Sequence, residues 1–456
     1  LNLNEGCWSD SKIDDPVWFY ASVAYFRDII NKQRKLSMST SLKFTTCCLI
    51  TTLTLVLCIS GCTSKDESNP MNNSEALAFH HSILTIDTHV DTPLPLKRES
   101  IDLGQRYDPK IYKSKLDLPR MDEGGLDAAF FAVWTPQGLR TDSAHTAIKG
   151  QALQIIERVN ESLAPYPDRA QLVTESGSAA SLQEQGIHAI YLGMENGFPI
   201  GIDLDNLDLF YAKGIRYMTL CHTKNNEISD SSTDTTEFGG LSPFGFEVVQ
   251  RMNALGMMVD VSHVSDAAVE DVLEVSQAPV IASHSCVKAL CDHPRNLTDD
   301  LIEKIAEKGG VVQMCLLSEY VETPAPNPAR DSARASLSEK WGGMELLSLS
   351  DKKLYRAERK QLNLDFPLEL TTVAKAVDHI EHIINIAGID HVGIGSDFDG
   401  GGALADCYDV SELPNITLEL LKRGYSKADI EKIWSGNLLR VFKAVEDIGK
   451  SSASSL

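Results

Sequence analysis

ILTIDTHVD, residues 83–91, is an apolar run that closes on a histidine and an aspartate two positions apart. On extended backbone, residues i and i+2 project to the same side, so His89 and Asp91 can reach a single point. The pattern of a short apolar run followed by a polar residue recurs along the chain. Strand-like runs lie at 127–133, 188–194, 215–221, 257–262, 279–283, 310–316 and 391–396. Most are continuously apolar rather than alternating, as suits strands covered on both faces of a parallel sheet. The segments between them, among them 147–163, 265–275 and 299–308, carry helical periodicity. Ser265 or Asp266 can cap the second of these helices and Thr298 or Asp299 the third. Eight β–α repeats predict an α/β fold, a (β/α)8 TIM-type barrel. A doubly wound open sheet is the alternative.

The polar residues just beyond the runs point to function. Glu195 comes after the third run, His222 after the fourth, His263 after the fifth and His284 after the sixth, and Asp397 and Asp399 come after the eighth. Parallel barrel strands all end on one face, so residues spread over some three hundred positions converge there. A single histidine after a strand is more often a loop or cap residue than a ligand. His80, His81, His145, His188, His293, His379, His382 and His391 lack the pattern and are read as structural or surface. Imidazoles and carboxylates gathered at equivalent strand ends need a compensating cation, because buried unpaired charge is costly. The donor types suit Zn2+, with Mn2+ or Co2+ as options. His89 and Asp91 can hold one ion, His263 and His284 a second, and the two oxygens of Glu195 can bridge them. Two adjacent metals acidify a shared water and polarise a carbonyl. Asp397, in GIGSDFDG (393–400), can take a proton from the attacking water and pass it to a leaving amine. It can equally be a helix N-cap in a glycine-rich loop, and Asp399 is read as a loop residue.

The chain has 456 residues and a net charge of −22, with no basic patch, so nucleic acid is not expected as a partner. Residues 38–61 read as a lipoprotein signal peptide ending in Ile59-Ser60-Gly61, with Cys62 as the lipidated residue. Residues 1–37 are read as an upstream segment outside the mature protein, 62–78 as a polar tether and 79–450 as the barrel domain. An exported protein anchored by lipid to a bacterial membrane is the expectation. Thr63 after Cys62, rather than Asp, favours the outer membrane. Cys221, Cys286, Cys291, Cys315 and Cys407 are odd in number and lack CxxC spacing, which does not support a disulfide framework.

TIDTHVDTPL (85–94), GMENG (193–197), LTLCH-type residues up to His222, VDVSHVS (259–265), SHS (283–285) with HPRN (293–296), and HVGIGSDFDG (391–400) resemble the membrane, or renal, dipeptidases. The resemblance runs from about residue 80 to 448. It implies zinc-dependent hydrolysis of dipeptides with a free C-terminal carboxylate, by a hydroxide bridging two metals, with tolerance of C-terminal D-residues. It implies His89 and Asp91 on one zinc, His263 and His284 on the other and Glu195 between them. It also implies that His222 contacts the substrate and supports the oxyanion, that Arg295 contacts the substrate and that Asp397 transfers the proton. Arg295 would otherwise read as a surface arginine; its guanidinium fork suits a terminal carboxylate. A homodimer is a further expectation.

Three departures stand out. The C-terminal DIGKSSASSL is polar, whereas animal members are joined to the membrane by a C-terminal lipid signal. The family's disulfide cysteines are not clearly reproduced. A long charged insertion, 317–368, separates the seventh and eighth strands, with APNPA and a predicted helix near 350–361, and is a candidate lid. An N-acyl-amino-acid deacylase and a non-enzymatic lipid-anchored peptide- or metal-binding protein are the competing functions.

Overall fold

Each apolar run that the sequence marks becomes a strand, and every strand pairing is parallel. The strands are β1 (Ile86–Val90), β2 (Ala128–Trp134), β3 (Ala170–Leu172), β4 (His188–Glu195), β5 (Ile215–Thr219), β6 (Met258–Asp260), β7 (Ile281–Ser285), β8 (Val311–Met314) and β9 (Val392–Ile394). They are seen in a computed structural model that describes residues 72–99, 101–112, 114–342 and 347–453. The expected upstream segment, the signal peptide, Cys62 and the tether as far as residue 71 lie outside these residues.

The strand order is β1-β2-β4-β5-β6-β7-β8-β9, with β3 paired to β4. The circle closes where β1 meets the chain leaving β9. There Asp91 N–H donates to Phe398 O at 2.7 Å and Asp397 N–H donates to His89 O at 2.9 Å. The nearly closed barrel has eight principal strands, as expected, and the open-sheet alternative falls. β3 is an addition that the sequence does not announce: three residues are too few to show a period.

Alternation along the strands sorts two apolar layers. Ala128, Phe130, Ala189, Tyr191, Tyr217, Met258 and Ile281 fill the barrel interior. Leu438, Val441, Phe442 and Val445, spaced at helical intervals on the helix Asn437–Ala453, join that cluster. The Phe442 ring lies 6.0 Å from Phe130 and 5.7 Å from Tyr191. The C-terminal helix therefore plugs the barrel at the end away from the rim where the strands finish. Ala129, Phe131, Val133, Ile190, Leu192 and Met194 face the other way, into the layer beneath the helices. Burying a side chain of this size stabilises by roughly 1.5–3 kcal/mol, so the two layers together fix the register of the strand ends.

The predicted caps form. Ser265 caps the helix Asp266–Val275 through Ala268 N–H, and Thr298 caps Asp299–Glu307 through Leu301 N–H. Two features differ from expectation. Asn72 and Glu75 make a capping box at the start of a helix, Asn73–His80, within the stretch read as tether. Its last residue, His80, is buried against Thr417 and Gly124, so this stretch belongs to the fold. The insertion holds two long helices, Pro328–Trp341 and Leu349–Asp365, rather than one. They are tied by Lys340 Nζ to Glu358 at 2.6 Å and by Trp341 Nε1–H to the same carboxylate at 2.9 Å. The five cysteines of the described residues are buried and free. No described helix is long and apolar enough to cross a membrane.

Candidate metal centre

The strand ends bring the expected residues together. His89 lies inside β1 and Asp91 one residue past it; Glu195 ends β4; His263 stands three residues beyond β6; His284 lies inside β7. All five are buried. His89 Nε2 is 3.6 Å from Asp91 Oδ2 and 3.5 Å from Glu195 Oε2. The other oxygen of Glu195, Oε1, is 3.0 Å from His263 Nε2 and 3.6 Å from His284 Nε2. One carboxylate thus faces two separate nitrogen sets, one from each oxygen.

The geometry tests whether metal belongs here. The ligand atoms of His89, Asp91 and Glu195 all lie within 4.8 Å of one another, as do those of Glu195, His263 and His284; His89, His284 and Asp397 form an overlapping third group. His89 Nε2 and Asp91 Oδ1 are buried with no hydrogen-bond partner. His263 Nε2 and His284 Nε2 stand 2.9 Å apart. An orphaned buried polar atom costs about 1–3 kcal/mol, so two of them side by side, His89 Nε2 and Asp91 Oδ1, fit a cation that both ligate. The residues fit divalent metal held by N/O donors.

The surrounding shell orients these groups. Tyr217 Oη is 2.8 Å from His89 Nδ1. Room for the tyrosine comes from Gly193, its cross-strand partner on β4, since a Cβ there would meet the ring at 2.0 Å. Gly400 does the same for the carboxylates: its Cβ would fall 2.1 Å from Asp91 Oδ2 and 2.2 Å from Asp397 Oδ1. Asn196, His263, Asp397 and Asp399 have left-handed backbone, with φ between +60° and +77°. They are the non-glycine residues with positive φ among those described, and all lie just beyond strand ends at this rim. Such backbone costs roughly 1–2 kcal/mol per residue, least for Asn, Asp and His, and those are the types used.

Burial pushes the Glu195 carboxyl up, but His89, His222 and His263 draw it down further, to well below its ordinary range. Burial, reinforced by Cys315 and Asp91, raises Asp397 well above the carboxylate range. Burial holds His263 and His284 well below their ordinary values, and Arg295 adds to this, so both rings are neutral and can offer lone pairs. Asp397 starts no helix, so the N-cap alternative falls; its carbonyl accepts from the N–H groups of Gly400, Gly401 and Gly402 in a tight turn. Asp399 is a loop residue as read, holding Thr92 Oγ1–H and Lys115 N–H, and burial lifts its pKa to about 7. His222 Nε2 is 3.5 Å from Glu195 Oε1, with its side chain 21 % exposed, and its ring faces Trp134 at 5.8 Å.

Arg295 is not on the surface. It is 4 % exposed, donates from Nη2 to His284 O at 3.1 Å and leaves Nε without a partner. Tyr320, at the base of the insertion, places its ring 5.5 Å from the guanidinium and 4.4 Å from that of His293. The eight histidines set aside as structural or surface behave largely so: His80, His188, His379, His382 and His391 hold carbonyls, hydroxyls or acids outside the cluster. His293 lies nearer the site than its reading implied, accepting Arg295 N–H at 3.2 Å. Sequence reading missed Tyr217, Tyr320 and Asp260.

A parallel barrel with clustered metal-ligand side chains at its C-terminal rim is the architecture of a metal-dependent enzyme. The profile of the membrane dipeptidases, peptidase family M19, matches residues 73–456, and the chain belongs to that family. It is 32% identical over 356 residues to dipeptidase tcpJ of Claviceps purpurea, covering 76% of this chain and 74% of that one. The structure of the probable dipeptidase PvdM of Pseudomonas aeruginosa superposes with a TM-score of 0.73 at 30% identity, covering 82% of this chain and 98% of that one. A second solved dipeptidase, described as a metallopeptidase of the same family, gives 0.63 at 25% identity, with 80% and 98% covered. The protein is a metallo-dipeptidase.

Proposed function

We propose that the chain is a two-zinc dipeptidase that recognises the free C-terminal carboxylate of its substrate. The observation that carries this reading is Glu195: each of its oxygens faces a different set of buried ligand atoms, with His89 Nε2 and Asp91 Oδ1 orphaned on one side. His89 and Asp91 would hold one ion, His263 and His284 the other, and Glu195 both. When bound, the ions polarise the scissile carbonyl and acidify the water that attacks it.

The chain's own residues do the rest. Arg295 presents a buried guanidinium with a free Nε–H, suited to a carboxylate at the substrate's end. His222, partly exposed at the rim beside Glu195, lies where it can donate to the carbonyl oxygen as charge develops there. Asp397, beside Asp91, has its carboxyl raised by burial; the positive charge of bound ions would favour its carboxylate form, in which it would receive the proton of the attacking water and deliver it to the leaving amine. The wall of the barrel excludes bulk water around these groups, which strengthens each electrostatic contact.

Zinc analysis of the purified protein should give about two ions per chain, and Glu195→Ala should abolish hydrolysis. Full activity in a metal-free preparation would refute the reading. A panel of L,L-dipeptides, L,D-dipeptides and N-acyl amino acids tests the substrate; turnover of the last alone would make the enzyme a deacylase. Attachment to a membrane through Cys62 is part of the proposal, supported by the ISGC sequence. Release of the protein into the soluble fraction by Cys62→Ser tests it.

A further inference from the structure

We infer that Asp260 decides which ring nitrogen of His284 carries the proton, and so whether the His263–His284 half of the centre is ready for an ion. The inference rests on the proposed pairing of these two histidines on one metal. Asp260 ends β6 and is fully buried. It touches no metal-ligand atom. Its Oδ1 accepts from the N–H groups of Ser262 at 3.0 Å and Ser283 at 2.8 Å. Its Oδ2 accepts from the Thr219 hydroxyl and from Ser283 Oγ–H at 2.6 Å. Ser283 Oγ is also 2.9 Å from His284 Nδ1.

The direction of this hydrogen-bond chain comes from counting protons. A carboxylate only accepts. Ser283 has one hydroxyl proton, and Asp260 takes it. The contact between Ser283 and His284 must then run the other way, with Nδ1–H of the imidazole donating to the serine oxygen. His284 Nε2 is left with a bare lone pair, pointing at His263 Nε2 and at Glu195 Oε1. Outer partners of metal-binding histidines set ring tautomer and orientation in this manner, but here the carboxylate acts through a hydroxyl rather than directly. The two backbone amides on Oδ1 keep the acceptor from turning. Within this half of the centre His263 has no such partner, as its Nδ1 is unpaired, so the control falls on His284. Asp260 is a positioning residue.

Asp260→Asn tests this with almost no change of shape. The asparagine oxygen replaces Oδ1 on the two amides, and its NH2 group then replaces Oδ2. That group donates to Thr219 and Ser283, so Ser283 turns its own proton onto His284 Nδ1. The imidazole proton moves to Nε2, facing the metal position. In protein labelled with 15N-histidine and stripped of metal, ring two-bond correlation spectra should show His284 as the Nδ1–H tautomer in wild type and as Nε2–H in the variant. Chelator competition should show one zinc bound as in wild type and the other weakened by about tenfold to a hundredfold. Ser283→Ala, which cuts the link without supplying a donor, should weaken that ion less than Asp260→Asn, and the double variant should behave like Ser283→Ala. An unchanged His284 tautomer in Asp260→Asn, or double-variant binding as weak as that of Asp260→Asn, would overturn the inference. Should wild type bind no zinc while the tautomer still switches, the paired-ligand reading fails and the control by Asp260 stands.

Discussion

Arg295→Lys separates recognition of the substrate's end from the chemistry. The native guanidinium is buried, spends Nη2 on His284 O at 3.1 Å and holds Nε–H free. Lysine keeps the positive charge but loses the planar fork, so it cannot hold the backbone carbonyl and grip both carboxylate oxygens at once. Hydrogen bonds to a charged group are worth about 1.5–3 kcal/mol, which corresponds to roughly 10–150-fold in affinity. If Arg295 anchors the carboxylate equally in ground and transition states, KM rises by about that factor while kcat moves little. The assay compares a dipeptide with the same dipeptide carrying a C-terminal amide, in both proteins, with zinc content and melting temperature measured alongside. Wild type should favour the acid strongly, and the variant should lose most of that preference. A variant that keeps the wild-type ratio of kcat/KM for acid over amide would show that the carboxylate is read elsewhere.

Three further perturbations address the centre and the fold. Tyr217→Phe removes the oxygen 2.8 Å from His89 Nδ1 and should weaken zinc by about tenfold to a hundredfold, read by chelator competition, with little change in the circular dichroism spectrum. Gly400→Ala drives a methyl group against Asp91 and Asp397; displacing groups there by about an ångström should lower kcat by about a hundredfold, and kcat within about twofold of wild type would refute the close-approach argument. His80 donates Nε2–H to Gly124 O and accepts the Thr417 hydroxyl at Nδ1, so the folded protein holds it neutral, and burial pushes its pKa from 6.5 down to about 4. Between those values the unfolded chain binds the extra proton, so its contribution is full above pH 6.5 and is lost as pH falls toward 4, about 3 kcal/mol in all. Urea unfolding at about pH 7 and about pH 4.5 should show a smaller pH-dependent loss in His80→Gln than in wild type.

The parts of this protein legible in one dimension are those encoded by local pattern. Continuous apolar runs marked the eight principal strands, and a strand end is a local event, so His89, Asp91, Glu195, His222, His263, His284 and Asp397 could each be placed on the rim without knowing any neighbour. Arg295 could not. It sits in a loop after β7 with no periodicity to show that it turns inward, and only resemblance promoted it. Tyr217 was hidden differently. In the run 215–221 it is one more apolar residue, and its function depends on the glycine opposite it, Gly193, across a strand pairing that no spacing rule supplies. Asp260 shares that fate, because its partners Thr219 and Ser283 come from the strands on either side. The first helix of the insertion was missed although Asn327 before Pro328 is a start signal; its mixed charge and few apolar residues give no face to read. The left-handed residues point to what unites these cases. His263 and Asp397 are strained because the rim requires the chain to turn sharply just past a strand while aiming a side chain back over the barrel. Sequence shows which residues arrive at that rim; the second layer that aims them is built from pairs between strands, and becomes visible only when the barrel has closed.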